Sequence, residues 1–425
     1  AMEQKDKATS AQQRAEELRL LSIARSMAVK SLQESNKIIK SLSARQAYNL
    51  YKNNGGQKMD PDIYNALYYA VKKLKGDNYN KGKAHYDNVR TIIAAENSKY
   101  LYSAGSDGQI FRWERSKEKF VPELIDHEKG KVHKSIALSQ DGKKMVAGGN
   151  YPYIKLINLE NLNKKRIKIR SDNLQYLTFS PDKEQVIYLE DNKRIMQWDF
   201  NELKEVLISE TKINSIDINP NGQYLAVGKA GGKVLLVDMI NGVELELFNS
   251  ETKADVTALE FSDDGKMLAV GDMNGVVRLI TPYSGKVHYT LSGHQAMVNN
   301  IAFSHSGDKL ATASFDHSVR IWSLNNPYDQ PVILKDHNDW VWSVEFDQND
   351  KYLLAGCRDK LIRSWLLELD KLASMICKDE EVNRNFTKAE WNNYVAEDVE
   401  YECTCSQNQQ SKQKGDNQQL AKHQQ

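Results

Sequence analysis

Two histidine–aspartate pairs recur at one fixed spacing in the C-terminal half of the chain. They are His294 with Asp316 and His337 with Asp359. A histidine held by a carboxylate can act as a general base, so each pair is a candidate catalytic dyad. The sequence contains no GxSxG nucleophile elbow and no HExxH zinc motif. Neither pair is therefore accompanied by a hydrolase motif.

Other residues that could bind phosphate or metal lack the spacing that these ligands require. The segment GKAGGK, from Gly228 to Lys233, has glycines and lysines but no Ser or Thr and no following helix. It predicts a tight turn between strands and not a P-loop. His85, His127 and His133 have no fixed ligand spacing, so we expect ordinary surface residues there.

The four cysteines, Cys357, Cys377, Cys403 and Cys405, contain no CxxC pair. In a chain of 425 residues they indicate neither a disulfide framework nor a zinc ribbon, and they favour a reducing compartment. Cys403 and Cys405 form only a weak candidate for a chelating or cross-linking pair. We expect no catalytic residue, no cofactor and no metal.

The charge balance argues against two classes of partner. Lys and Arg total 58 and Asp and Glu total 57, so the net charge is +1. This gives no general attraction to nucleic acid or to an anionic membrane. No run of about 18 uncharged apolar residues is present, and the first residues are polar. We expect a soluble chain without a membrane span.

A unit of roughly 42 residues recurs along the chain, and this is the period of a four-stranded propeller blade. The residue that ends the first strand of each copy marks the series, at intervals of 39 to 44 residues. The seven markers are Ala94, Leu138, Phe179, Ile218, Phe261, Phe303 and Phe346. So regular a period favours a repeat architecture over a sandwich of unrelated strands.

Each copy predicts three antiparallel strands. In the clearest copy, from Gly293 to Leu324, short β-rich runs (VNNIAF, KLATAS and SVRIW) are separated by turn residues. Segments between the copies, such as KEVLI and KVHYTL, supply a fourth, outer strand. The last copy lacks one, and we expect GKAHY, from Gly82 to Tyr86, to supply it and close the ring. The predicted fold is all-β, a seven-bladed β-propeller with an N-terminal helical segment and a C-terminal helix.

On these copies the chain resembles the WD-repeat (WD40) β-propellers, over about residues 81–370. In that family a His before the first strand, a Ser or Thr on the second, an Asp in the next turn and a Trp on the third form a buried hydrogen-bonded set. The resemblance implies one full set and two incomplete ones. The sets are His294, Ser314, Asp316 and Trp322 in copy six; His337, Asp359 and Trp365 in copy seven, where Cys357 replaces the hydroxyl; and Asp107 and Trp113 in copy one, where Gly105 replaces it.

The resemblance also implies that the two His–Asp pairs are structural and not catalytic. Copy three has the dipeptide Trp198-Asp199. Copies two, four and five have Ile157, Val237 and Ile280 at the Trp position, where packing must replace hydrogen bonding.

Helical periodicity flanks the repeats. Asp60-Pro61 is an N-cap followed by a first-turn proline, and Thr387 with Glu390 is a capping box. The expected boundaries are an N-terminal segment of two or three helices at 1–80, the propeller at 81–370, a C-terminal helical extension at 371–405 and a disordered Gln-rich tail at 406–425.

The flanks are similar to those of bacterial STAND-type signalling proteins. RLLSIARSMAVKSL, ARQAYNLY and DPDIYNALYYAV are similar to the linker before their propellers, and NRNFTKAEWNNYV to the helix after them. The resemblance implies a sensor module from the C-terminal part of a larger protein with an upstream switch domain. Ala1-Met2 is typical of a cloning remnant. The expected compartment is the cytoplasm, or the periplasm if a membrane span precedes the segment.

In WD propellers the partner usually binds over the channel at the narrow face. Carried over to this chain, the family's contact positions are Trp340, Trp342, Arg358, Met297, Asn299, Phe315, Met273, Arg90 and Lys134. Copies six and seven thereby combine aromatic residues with arginine, as binding hot spots do. We predict a non-catalytic protein- or peptide-binding scaffold or sensor. Two alternatives stay open. Trp340 packs back into the blade or under the terminal helix, or the chain is a small-ligand or enzymatic propeller with ionisable groups converging in its channel.

Overall fold

The computed structural model describes residues 2–56, 59–95, 100–116, 119–181 and 184–405. The chain divides into two compact units, one of residues 80–367 and one that combines the residues before 80 with those from 368 onward. The predicted Gln-rich tail, residues 406–425, lies outside the described residues.

The helical unit combines segments from both ends of the chain. Its helices are α1 (Met2–Gln33), α2 (Lys37–Asn53), α3 (Pro61–Lys75), α4 (Leu369–Lys378) and α5 (Lys388–Tyr394). Side chains cap three of them at the N-terminus: Asn36, Asp60 and Thr387, the last within a capping box with Glu390. None of the described helices is long and apolar enough to cross a membrane.

A disulfide in this unit corrects the expectation drawn from the cysteine count. Cys377 of α4 is bonded to Cys405, with their Cα atoms 5.5 Å apart. The segment after α5 returns to this position, where the Cys405 N–H donates to the side chain of Asn385. Sequence separation carries no signal for such an isolated bridge, because the pairing depends on where the chain returns in space. The pairing of Cys405 also removes the candidate chelating pair with Cys403.

The second unit consists of seven four-stranded antiparallel sheets, so the predicted propeller is confirmed. One short strand, β1 (Lys81–Lys83), precedes the first complete sheet. Blades 1 to 3 contain β2 (Val89–Ala94), β3 (Tyr100–Gly105), β4 (Gln109–Ser116) and β5 (Lys119–His127); β6 (His133–Leu138), β7 (Lys144–Gly149), β8 (Tyr153–Asn158) and β9 (Lys164–Lys168); and β10 (Leu174–Phe179), β11 (Val186–Glu190), β12 (Arg194–Trp198) and β13 (Leu203–Ile208).

Blades 4 to 7 follow in the same order. They contain β14 (Ile213–Ile218), β15 (Tyr224–Lys229), β16 (Lys233–Asp238) and β17 (Glu244–Asn249); β18 (Val256–Phe261), β19 (Leu268–Asp272), β20 (Val277–Ile280) and β21 (Val287–Leu291); β22 (Val298–Phe303), β23 (Lys309–Ser314), β24 (Val319–Ser323) and β25 (Val332–Leu334); and β26 (Val341–Phe346), β27 (Tyr352–Cys357) and β28 (Leu361–Leu366). Each of the seven sequence markers ends the innermost strand of its blade.

The two ends of the propeller close the ring as predicted, but the closing strand is Lys81–Lys83, so only Gly82 and Lys83 of the predicted segment Gly82–Tyr86 pair. β1 pairs with β28, with Lys81 opposite Arg363 and Lys83 opposite Leu361. The outer strand of blade 7 therefore comes from the opposite end of the unit, which gives this blade four strands like the others. GKAGGK also forms the predicted turn: Gly231 and Gly232, between β15 and β16, have φ values of 76° and 80°, where a side chain would be strained.

A small residue near the end of the second strand lets neighbouring blades approach. An added Cβ at Gly148 would lie 2.6 Å from a leucine side chain of the next blade. At Gly228, Gly271 and Gly356 it would lie 2.6 to 2.9 Å from a valine side chain of the next blade. Blade 3 has Leu189 at this position, and it packs against Ile213 and Ile216 of blade 4. A larger side chain thus fills this position at the junction between blades 3 and 4.

Side chains of the inner strands bind the backbone of the next inner strand around the channel. Each inner strand is the last strand of its sheet, so the backbone groups on its channel side have no neighbouring strand and need other hydrogen-bond partners. Asp217 accepts from the Phe261 N–H (2.7 Å), Asn300 from the Val344 N–H (2.7 Å), and Ser343 from the Ile92 N–H (3.0 Å). These bonds fix the side chains that line the channel.

Candidate partner-binding face

The His–Asp pair of blade 6 belongs to a buried four-residue set. His294 Nδ1 lies 2.8 Å from the Asp316 carboxylate, and His294 Nε2 lies 2.7 Å from the Thr312 hydroxyl. Trp322 Nε1 donates to the same hydroxyl at 3.0 Å. An indole N–H can only donate, so the hydroxyl proton goes to His294 Nε2, and Nδ1 carries the ring proton toward Asp316.

The prediction that Ser314 supplies this hydroxyl is wrong. Ser314 Oγ instead donates to the Ala296 carbonyl and accepts from the Asp316 N–H. Thr312 and Ser314 lie two residues apart on one strand and so share a face. Thr312 is the one farther from the turn, at the depth of the Trp322 indole. The repeat pattern alone did not distinguish these two hydroxyl residues.

Blade 1 contains a full hydrogen-bonded set, where the sequence predicts an incomplete one. His85 bonds to Asp107 at 2.9 Å and to Ser103 at 2.7 Å, and Trp113 Nε1 donates to Ser103 at 2.7 Å. Ser103 again lies two residues before the predicted position, Gly105. The expectation of a surface location is wrong for His85, and also for His133, whose ring is buried and bonds to the Tyr151 hydroxyl. His127 is exposed as expected.

Blade 7 shows what replaces the set when the hydroxyl is missing. Ala355 occupies the hydroxyl position, so His337 Nε2 is buried without a hydrogen-bond partner, and Trp365 Nε1 donates to Asp336 instead. The buried Arg363 guanidinium binds both His337 Nδ1 and Asp359. Burial and the charge of Arg363 lower the pKa of His337 to about 3.

The same blade brings together three metal-ligating residue types. Ligand atoms of His337, Cys357 and Asp359 lie within 4.8 Å of one another. Arg363 donates to two of the three, so a fixed positive charge already occupies the place of a cation. Burial raises the pKa of Cys357 to about 12, which keeps its sulfur protonated and a poor ligand. This cluster is explained as an internal ion pair.

The narrow-face positions form equivalent pairs in all seven blades. In each pair the residue before the turn donates its N–H to the carbonyl of the residue that precedes the inner strand, at 2.8 to 3.1 Å. The donor–acceptor pairs are Ser106 and Asn88, Asn150 and Val132, Asp191 and Asn173, Ala230 and Lys212, Met273 and Asp255, Phe315 and Met297, and Arg358 and Trp340. The predicted residues Met273, Met297, Phe315, Trp340 and Arg358 therefore lie at equivalent positions on one face of the ring.

Three aromatic side chains on this face form one cluster, here called the aromatic cluster: Phe315, Trp340 and Trp342. Phe315 stacks on Trp340, with ring centroids 4.4 Å apart and planes 4° apart. Trp342 lies edge-on to both, at 4.9 Å from Phe315 and 6.2 Å from Trp340. All three side chains are half-buried. Trp340 packs across the junction of blades 6 and 7, and so does not fold back into its own blade.

Two guanidinium groups flank the aromatic cluster. The Arg90 guanidinium carbon lies 3.9 Å from the Trp342 ring centroid, and that of Arg358 lies 4.5 Å from the Trp340 centroid. Such stacking is attractive because the ring face is electron-rich. Lys134, at the position of β6 that Arg90 occupies in β2, donates to the side chain of Asn173.

The remaining predicted residues differ in exposure. Met273 of blade 5 is 49 % exposed. Met297 is half-buried beside the cluster. Asn299 is also half-buried and its amide nitrogen donates to the Trp342 carbonyl. Asn299 thus supports the backbone of Trp342, whereas Met273 presents a free apolar side chain.

Three carboxyl groups line the channel below this face, a feature that the sequence analysis did not identify. Asp217, Glu260 and Glu345 each occupy the fifth position of an inner strand, in blades 4, 5 and 7. Burial raises the pKa of Asp217 to about 7 and of Glu345 to about 8, and burial with repulsion from the other two raises that of Glu260. Tyr176 of blade 3 interacts with the same carboxyls. These acidic residues share the fifth position of their inner strands, and that shared position is the sequence signal that could have predicted them.

A family model for the "WD domain, G-beta repeat" matches residues 202–238, 243–281, 285–323 and 329–365. Each match begins at the outer strand of one blade and ends with the third strand of the next. The chain carries WD40 repeats. The match covers copies four to seven of the propeller, and the first three copies complete the ring by their geometry.

Similar proteins include Protein groucho of Drosophila melanogaster, 23 % identical over 65 % of this chain and 38 % of its own length. Actin-interacting protein 1 of Caenorhabditis elegans is 27 % identical over 41 % of this chain and 29 % of its own. The COMPASS component SWD3 of Saccharomyces cerevisiae is 29 % identical over 41 % of this chain and 54 % of its own length. This chain thus spans about a third to half the length of these relatives.

The WD40 propeller domain of Doa1 has a similar solved structure. It superimposes with a TM-score of 0.60 at 19 % identity, over 67 % of this chain and 95 % of that domain. At this identity the likeness concerns the fold alone, and it agrees with the seven-bladed propeller described above.

Proposed function

We propose that this chain is a non-catalytic binding module that holds a protein or peptide segment on the narrow face, over the aromatic cluster. The observation that carries the proposal is the packing of Phe315, Trp340 and Trp342 into one half-buried cluster flanked by two arginines. Buried aromatic and arginine side chains dominate binding energies at protein interfaces.

Two further observations support a binding role over catalysis. The His–Asp pairs of blades 1, 6 and 7 are engaged in buried sets that bind indole, hydroxyl or guanidinium groups. Names among the relatives, such as actin-interacting protein and COMPASS component, refer to association with other proteins. A rigid ring can present such a face without moving its backbone.

The proposal is tested with displayed random 12-residue peptides selected for binding to the full chain. Peptides bound at the face are expected to lose at least about 2 kcal/mol of binding free energy with Trp342→Ala, measured by titration calorimetry. The matched control is Tyr328→Ala, which removes an aromatic ring that is 82 % exposed outside the cluster. If every selected peptide binds Trp342→Ala as tightly as the wild-type chain, the narrow face is not the binding site.

A second candidate function, a small-ligand or enzymatic propeller, is favoured by the carboxyls of Asp217, Glu260 and Glu345 in the channel. A cationic ligand there would release protons on binding, because these carboxyls have raised pKa values. Calorimetry of arginine and of Mg²⁺ in two buffers of different ionisation enthalpy tests this. Heats that change between the buffers and vanish in Glu260→Gln/Glu345→Gln would favour the channel.

We further propose that the module is the sensor part of a larger bacterial signalling protein, as the similarity of its flanking segments to STAND-type proteins implies. The Cys377–Cys405 disulfide supports the periplasmic alternative over the cytoplasmic one, since such bonds persist in oxidising compartments. Mass spectrometry of the chain isolated from cells under alkylation tests this. Recovery of both cysteines alkylated would favour the cytoplasm.

A further inference from the structure

The charges on the narrow face define a second feature beside the aromatic cluster. Arg90 of β2 and Lys134 of β6 occupy the same position in adjacent inner strands, at the mouth of the channel. Arg358 lies on the turn of blade 7, over Trp340. We call these three residues the cation group. Both Arg90 and Lys134 are half-buried, so their charges are less well solvated than those of surface residues.

Arg90 and Lys134 have only neutral hydrogen-bond partners. Arg90 Nε donates to the Ser106 hydroxyl at 2.9 Å, and Lys134 Nζ donates to the Asn173 carbonyl oxygen at 2.7 Å. In the part of the chain that the structure describes, neither is within ion-pair distance of a carboxylate. Arg358 lies 3.8 Å from Asp339, in an exposed pair of little strength.

The two cations also repel each other and their neighbour. Burial lowers the pKa of Arg90, and the charge of Arg358 lowers it further, while Asp87 opposes the effect. Burial likewise lowers the pKa of Lys134, with an added contribution from Arg90 and an opposing one from Asp172. An anion placed between these groups would relieve both the lost solvation and the repulsion.

Three other cations of this propeller are paired with acids. Lys155 contacts Asp126 and Glu128, Arg278 contacts Asp272 at 2.8 Å, and Arg363 contacts Asp359. The same fold therefore does supply internal counterions where a cation only has to be buried. Arg90 and Lys134 lack them at the one place where a partner is proposed to bind.

One more donor in this region lacks an acceptor. Trp342 Nε1 is buried and makes no hydrogen bond, while its ring lies under the Arg90 guanidinium. The Nη atoms of Arg90 make no hydrogen bond to any described residue. The Nη atoms of Arg90 are thus N–H donors that no described residue uses, beside the buried Trp342 Nε1.

We infer that the bound segment carries an anionic group, a carboxylate or a phosphate, which binds Arg90 and Lys134 while an adjacent apolar side chain covers the aromatic cluster. This inference rests on the proposed function and adds the chemistry of the partner. A bidentate Arg contact and a Lys contact are the usual protein ligands for such groups.

The test uses peptides selected from unmodified and phosphoserine-containing random libraries, kept only if Trp342→Ala abolishes binding. We expect an acidic or phosphorylated residue next to an aromatic or aliphatic one. Arg90→Gln and Lys134→Met should each weaken such a peptide at least tenfold. Replacing the peptide's acidic residue by its amide should make the peptide insensitive to both variants. An amidated C-terminus distinguishes a terminal carboxylate from a side chain.

Lys266→Gln serves as the charge control, since it removes one cation that is exposed and lies outside the cation group. Its effect on affinity should stay within twofold at 150 mM salt. The anionic partner would be refuted by peptides that need Trp342, show no acidic preference and bind Arg90→Gln and Lys134→Met within twofold of wild type. That result would leave the proposed function standing. Peptides indifferent to Trp342→Ala would refute both.

Discussion

The ring of Phe315 lies parallel to the indole of Trp340, with 4.4 Å between centroids, across the junction of blades 6 and 7. The two residues come from different repeats and meet because each lies at a turn-side position of its blade. Each ring limits the rotation of the other, so the aromatic cluster is ordered before any partner arrives. Such order reduces the entropy lost on binding.

Phe315→Ala should therefore weaken binding at the face although the face keeps both tryptophans. Loss of the stacked ring frees Trp340, and we expect about 1 kcal/mol less binding free energy for peptides selected on the wild-type chain. The tryptophan emission maximum should shift to the red as Trp340 becomes more hydrated. Unchanged emission and unchanged affinity would show that the stacking contributes nothing.

Thr312→Ala and Ser314→Ala separate the observed hydrogen-bond set of blade 6 from the predicted one. Thr312→Ala leaves His294 Nε2 and Trp322 Nε1 buried without partners, and we expect a loss of about 2–3 kcal/mol. Ser314→Ala removes a bond to the Ala296 carbonyl and should cost about 1 kcal/mol. Thermal unfolding followed by circular dichroism ranks the two. A larger loss for Ser314→Ala would restore the sequence-derived assignment.

Ala355→Ser should stabilise blade 7. Arg363 donates to His337 Nδ1, so the ring proton of His337 lies on Nε2, where it has no acceptor. A serine hydroxyl at 355 would accept it, as Ser103 and Thr312 bind the equivalent histidines, and we expect a gain of about 1 kcal/mol. The matched control is Ala313→Ser in blade 6, whose site faces the neighbouring blade. A lower thermal midpoint for Ala355→Ser than for wild type would contradict this account.

The repeat period was sufficient to predict the propeller. Each marker residue ends an inner strand, because the apolar residue there packs between blades in every copy. Ring closure by a segment before the first copy followed from the missing outer strand of the seventh copy, although the observed strand, Lys81–Lys83, begins one residue before the predicted one. These features depend on local alternation and period, which are visible in one sequence.

Two kinds of feature could not be predicted from the sequence. One depends on how far a side chain lies from the turn of its blade, and the other on contacts between segments that are distant along the chain. Thr312 and Ser314 share a strand face, and only the position of the Trp322 indole distinguishes them. Leu189 looks like any apolar strand residue, yet it packs against blade 4 at a position where four other blades have glycine. The Cys377–Cys405 bond depends on where the last segment lies. The stacking of Arg90 on Trp342 joins residues from opposite ends of the propeller, and no repeat pattern encodes it.

The channel carboxyls predict how stability depends on pH. Asp217, Glu260 and Glu345 have folded-state pKa values above their unfolded values, so the folded chain binds protons more tightly. The stability that this confers is complete below about pH 4 and is lost as pH rises to about 8. Glu260→Gln/Glu345→Gln removes two of the three titrating groups. It should therefore stabilise the chain at pH 8.5 by about 2 kcal/mol and change little at pH 5.

Thermal midpoints of the wild-type and variant chains at pH 5, 7 and 8.5 test this prediction. The buried His294 and His337 have lowered pKa values, so their contribution is lost as pH falls below about 6.5, in the opposite direction. Because both chains keep these histidines, their effect cancels in the difference between the two midpoints. A difference that stays constant across the three pH values would mean that Glu260 and Glu345 are ionised at neutral pH and well solvated in the channel.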